Sequence, residues 1–176
     1  NYVPLADETR WDHVEIQGQG RILASYRKAL GYAWLVDSVV PLASAAALTV
    51  VQQGKLPDET SFNPVRTAVV EYTSPELAED LTRMGKGTVK ILSIENDRWL
   101  LEGHTDSPAF LVISQSFDPG WIAYVDGRKT PLLATDYILQ GLKLPGGAVR
   151  IELRYVPTSF VFGAGVTAIS LMVIIF

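Results

Sequence analysis

Two histidines, His13 and His104, are the only imidazoles in the chain, and neither stands in an HxH, HExxH or Cys/His spacing that would put two ligands on one side of a zinc ion. Cysteine is absent, which excludes disulfides, thiolate metal sites and a cysteine nucleophile while leaving the redox compartment open. No serine lies in a GxSxG elbow. Gly18-Gln19-Gly20 and Gly85-Lys86-Gly87 complete neither GxGxxG nor GxxxxGK followed by Ser or Thr, so they read as turns and not phosphate loops. Paired carboxylates cleave glycosidic bonds when they stand about 5 to 10 Å apart across a sugar, and Asp118, Asp126 and Asp136 are the candidates. Asp118 precedes Pro119-Gly120 and Asp126 precedes Gly127, so turn formation suffices to explain both. Trp99, Trp121, Tyr124 and Tyr137 have rings able to stack on a sugar. In a β-sandwich such aromatics are more simply core, and Trp99, Tyr124 and Tyr137 are retained as candidate glycan contacts. The chemistry-bearing residues thus predict no catalytic residue, no cofactor and no metal in this chain.

The elements that would position these residues are mostly strands. Residues 14–17 and 21–26 flank Gly18-Gln19-Gly20 and read as two short strands joined by a tight turn, with everything before Val14 left as coil. Residues 32–40 are rich in β-formers and stop at Pro41, which predicts one buried strand. Ser44 as N-cap, Gly54 behind residue 53, and Ala47, Leu48 and Val51 on one face predict a short amphipathic helix. Residues 55–66 read as a loop into a strand at 67–72, and Ser74-Pro75-Glu76 as the start of a further helical turn. Strand-like runs follow at 88–95, 99–105, 109–117, 121–125 and 129–134, and in Asp126-Gly127 the glycine supplies the positive φ of a hairpin between the last two. Val149, Ile151, Leu153 and Tyr155 alternate with Arg150, Glu152 and Arg154, a half-buried strand with a charged outer face. The fold class is therefore mainly β, an antiparallel sandwich-like domain with one or two short helices.

The chain of 176 residues is 48% hydrophobic, enough for one domain with a proper core, and its formal net charge of −4 without a run of Lys and Arg argues against nucleic acid as a partner. The apolar residues concentrate at 160–176, FVFGAGVTAISLMVIIF, which holds no charge and no proline. A helix of that length covers about 25 Å, slightly less than the roughly 30 Å of a bilayer's hydrocarbon core. Gly163, Ala164 and Gly165 suit helix packing in lipid, so residues 158–176 are expected to begin a transmembrane helix after a β-rich domain over 1–157. The other apolar stretch, 34–51, contains Asp37 and Pro41 and reads as two short non-membrane elements.

From Ala109 onward the order of elements resembles the C-terminal region of the YfhO family of bacterial membrane proteins. The resemblance is carried by the corner Pro119-Gly120-Trp121, the hairpin Asp126-Gly127, a return strand over 137–144, the turn Pro145-Gly146-Gly147, a last strand and Tyr155-Val156-Pro157 before the apolar segment. Upstream, residues 29–39 look like a looser form of that family's Leu-Pro-Arg-Ala segment, with Gly31 and Tyr32 where Pro and Arg are usual. Members look like GT-C-type glycosyltransferases that use a lipid-linked sugar donor, with a catalytic carboxylate in an early loop that has no counterpart here. The resemblance implies a non-catalytic extracytoplasmic, periplasmic or outer, domain inserted before a last membrane helix. Its partners would be membrane lipid, other transmembrane helices, and a larger membrane complex or an envelope glycan. The alternative is a single-span accessory subunit docking on a larger membrane complex. Arg150 and Arg154 just before the span oppose the positive-inside tendency, which a long translocated domain can override.

Overall fold

The computed structural model describes residues 11–17, 21–26, 30–71 and 84–157, together with 167, 170 and 172. The chain divides into two compact units, Asn1–Gly31 and Tyr32–Phe176. In the first, strands β1 (Trp11–Gln17) and β2 (Arg21–Tyr26) pair antiparallel, with Glu15 opposite Leu23. Strand β1 begins at Trp11, three residues earlier than hydropathy alone suggests, through an irregularity between Trp11 and His13.

The second unit is built from β3 (Ala33–Val36), β4 (Ser38–Leu42), α1 (Ser44–Gln53), β5 (Thr67–Glu71), β6 (Gly87–Ile94), β7 (Arg98–Thr105) and β8 (Ala109–Ser116). It continues through β9 (Trp121–Val125), β10 (Arg128–Thr130), β11 (Leu133–Thr135), β12 (Leu139–Leu144) and β13 (Gly147–Tyr155). One sheet has the order β10-β9-β13-β7-β6 and is antiparallel throughout; the other has the order β3-β8-β12-β11-β5-β4. The sheets face each other across a shared core. Trp99, Leu101, Trp121, Ala123, Ile151 and Leu153 come from the first and Leu111, Ile113, Leu142 and Leu144 from the second. The alternation in β13 lies as its sequence indicates: Val149, Ile151 and Leu153 are buried while Arg150 and Arg154 are exposed.

The six-stranded sheet departs from the expectation in three ways. The single strand expected over 32–40 is broken at Asp37, whose N–H and that of Ser38 both donate to Arg66 O. The break sends β3 to one edge of the sheet and β4 to the other. Because only Asp37 separates them, the two edges meet there and the sheet curls round an interior of its own, filled by Val36, Val39, Ala68, Val70, Phe110 and Val112. Pro41 lies inside β4 and does not end it, which an edge strand tolerates because the missing N–H faces no partner. Second, β4 and β5 pair in parallel, so the sheets are not purely antiparallel; residues 43–66, including α1, supply the crossover that parallel pairing requires. Third, the strand expected over 129–134 divides at Pro131: β10 stays with β9, and β11 joins the other sheet beside β12 and β5. Proline cannot donate to a ladder and marks the point where the chain changes sheets.

Helix α1 packs Ala47 and Val50 on Val69 of β5, one face round from the predicted Ala47, Leu48 and Val51; Val51 is exposed. Ala43 occupies the N-cap position without a side-chain bond, and Ser44 Oγ instead donates to Glu71 Oε1 at 3.0 Å, fastening the start of the helix to the end of β5. Gly54 ends the helix in the left-handed region at φ 67°. The turn expected at Ser74-Pro75-Glu76, the Gly18-Gln19-Gly20 turn and most of 158–176 lie outside the described residues. Thr167, Ser170 and Met172 have helical backbone and are exposed. Among the described residues no helix is long and apolar enough to cross a membrane.

Candidate functional site

Two of the segments that carry the resemblance, Pro119-Gly120-Trp121 and Tyr155-Val156-Pro157, meet at one corner of the second unit. Asp118 Oδ1 accepts from Gly120 N–H at 2.7 Å and Asp118 O accepts from Trp121 N–H at 3.0 Å, which folds Pro119-Gly120 into the tight turn that starts β9. Val156 N–H donates to Gly120 O and Tyr155 N–H to Asp97 O, so the end of β13 is clamped between the β8–β9 turn and the β6–β7 turn. A Cβ on Gly120 would stand 2.7 Å from the Tyr155 ring, so only glycine lets that ring lie across the turn. Trp121, 8% exposed, supports the same ring at a centroid distance of 5.2 Å. Pro157 follows directly and is half-buried. Farther along the motif, Asp126-Gly127 forms a two-residue hairpin with φ of 49° and 77°, and Gly147, after Pro145-Gly146, opens β13 at φ 102°.

Beside this corner is an open depression of ≈ 290 Å³ lined by Asn96, Gln115, Ser116, Asp118, Trp121 and Tyr155. It joins residues of both sheets, because Gln115 and Ser116 end β8 while Trp121 and Tyr155 belong to β9 and β13. Ser116 is held from behind by Gln140, whose Nε2 donates to Ser116 O at 3.0 Å. Nothing in the spacing of Asn96, Gln115 and Tyr155 along the chain connects them.

The three candidate carboxylates are each engaged in a different turn. Asp126 N–H donates to Arg150 O and its Oδ1 accepts from Arg150 N–H, both at 2.8 Å, so the residue pairs with β13 as a further strand position would. Asp136 repeats the device on the other sheet: its N–H donates to Val69 O at 2.7 Å and its Oδ1 accepts from Val69 N–H at 2.8 Å. Both aspartates have φ of 49°, a left-handed conformation that Asp tolerates better than most residues. The second pairing matters more to the fold, since β11 and β5 otherwise share only the Thr135–Val70 bridge. Asp136 is 6% exposed, its Oδ2 has no partner among the described residues, and burial pushes its pKa up to about 6 against the opposing effect of the Val69 N–H. No sequence motif marked Asp136 for this role.

The remaining candidates are dispersed. Trp99 is a core residue, 5% exposed, with Tyr32 edge-on to it at 6.1 Å. Tyr124 lies on the outer face of the five-stranded sheet beneath Arg154, whose guanidinium carbon is 5.2 Å from the ring centroid. Arg154 also donates to Glu152 through Nε at 2.8 Å, and Arg98 Nε donates to the same carboxylate at 2.6 Å. The Arg154 hydrogen bonds, with Arg98 adding to them, hold Glu152 below the usual carboxylate range. Tyr137 sits in the β11–β12 turn at φ 71° and is 40% exposed. The structure therefore does not gather Trp99, Tyr124 and Tyr137 into one surface. His104 lines a broad shallow depression of ≈ 480 Å³ on that outer face, between Thr88 and Ala148, with Lys90, Glu102 and Arg150 in the next row. Among the described residues no three His, Asp or Glu side chains come together as a metal site would require.

Comparison with known protein families, with curated proteins and with solved structures found no match for this chain.

Proposed function

We propose that this chain is a non-catalytic extracytoplasmic β domain of a YfhO-like membrane protein concerned with envelope glycan or lipid-linked sugar transfer, and that the apolar segment 158–176 tethers it to the bilayer. The observation that carries the reading is the corner itself. Pro119-Gly120-Trp121 and Tyr155-Val156-Pro157, far apart in the chain, lock the end of β13 to two turns at the point where the apolar segment begins. A domain fastened to a membrane element gains from a rigid last strand, because slack there would let the domain move independently of its tether. Arg154, which opposes the positive-inside tendency, is engaged by Glu152 and Tyr124 and so has a place in the sheet independent of membrane charge.

The test is topological. A protease site placed in the exposed loop at Asp58-Glu59-Thr60 of the full-length protein should be cut by protease added outside intact spheroplasts, and the protein should stay in the membrane fraction after an alkaline wash. Cleavage only after lysis, or release by the wash, would overturn the reading.

A further inference from the structure

The geometry points to the corner depression as a binding site for a single neutral sugar ring, with Tyr155 as the stacking surface and Asn96, Gln115, Ser116 and Asp118 as the groups that read its hydroxyls. Four observations support this. The lining is an aromatic pair beside two carboxamides, a hydroxyl and a carboxylate, the combination of apolar face and mixed donors and acceptors that a pyranose presents in return. The polar groups are available: among the described residues the side chains of Asn96 and Gln115 and the Tyr155 hydroxyl make no hydrogen bond, and Asp118 uses only Oδ1. Among the described residues no Lys or Arg lines the depression while Asp118 does, which disfavours phosphate, sulfate and uronate and favours uncharged polyols. The walls are also set before any ligand arrives. Gly120 and Trp121 pin the Tyr155 ring, the Asp97–Tyr155 and Gly120–Val156 backbone bonds join the two turns, and Gln140 holds the Ser116 backbone, so the ordering that opposes binding is confined to the unbonded Asn96 and Gln115 side chains. At ≈ 290 Å³ the depression has room for one ring. The candidate contacts Trp99, Tyr124 and Tyr137 are not part of it. The inference goes beyond the membrane reading and does not require it.

The experiment titrates the 176-residue chain with methyl β-glucopyranoside, methyl β-galactopyranoside and N-acetylglucosamine, following saturation transfer from protein to sugar, with inorganic phosphate as a competitor. At least one sugar should bind saturably with a dissociation constant on the order of 1 to 10 mM, as a small open site allows. The double variant Asn96→Ala/Gln115→Ala should weaken it about tenfold, the loss expected for two neutral hydrogen bonds. Asn96 is exposed and Gln115 half-buried, neither side chain is hydrogen-bonded among the described residues, and the variant's unfolding midpoint should match that of the parent. No saturable binding by any of the three sugars, binding unchanged in the double variant, or displacement by phosphate would each overturn the assignment. The topology test is separate, so either result can fail without deciding the other.

Discussion

Asp136 should make this domain less stable as pH rises through the weakly acidic range. Its carboxyl has an ordinary pKa of 3.8 in the unfolded chain and about 6 in the fold, where burial penalises the charged form. Between these values the folded state holds a proton that the unfolded state has released, so stability falls with increasing pH and levels off once both states are ionised. Two pH units at about 1.4 kcal/mol each amount to roughly 2 to 3 kcal/mol lost from pH 4 to pH 7. The structural basis is the unpartnered Oδ2 beside the Val69 pairing: neutral Asp136 keeps the Val69 N–H bond through Oδ1 without leaving a bare charge buried. Asp136→Asn retains an acceptor for Val69 and tolerates φ of 49°, so it should fold while losing the titration. Urea unfolding of both proteins at intervals from pH 4 to pH 8 isolates the effect, because contributions from other groups cancel in the difference. The variant should gain on the parent by about 2 to 3 kcal/mol across that window. A difference that is flat with pH, or that changes in the opposite direction, would refute the reasoning.

Two further outcomes follow from packing. Gly141→Ala should cost about 1 to 3 kcal/mol, because the added Cβ would stand 2.5 Å from both the Phe110 ring and Thr135 Oγ1; the smaller Phe110→Leu should restore part of the loss in a double-mutant cycle, and simple additivity would count against the contact. Trp121→Ala should lower stability by about 3 to 5 kcal/mol, since it empties a buried site and removes the support under Tyr155; an unchanged urea midpoint would show that Trp121 is not a structural anchor.

Much of the local structure was legible in the chain because it rests on short-range physics. The two-residue periodicity of β13 follows from strand geometry wherever one face is buried. Asp126-Gly127 specifies its hairpin because few other pairs accept two positive φ angles. Gly54 stops α1 for the same steric reason. What could not be read was the choice of partner for each strand. The run 32–40 has one continuous hydropathy signal, yet Asp37 divides it between opposite edges of a sheet because Arg66, remote in sequence, takes both backbone donors at the break. The parallel pairing of β4 with β5, the change of sheets at Pro131 and the pairing of Asp136 with Val69 all depend on which strand lies alongside, a property of the assembled sheet and not of any window of residues. The corner shows the same division: proximity in sequence announces a turn at Pro119-Gly120-Trp121, but only the tertiary fold brings Tyr155, Asn96 and Gln115 to it. Hydrogen bonding and sterics within a few residues determine turns and alternation, whereas a site assembled from three strand ends exists only after long-range pairing has closed the loops between them.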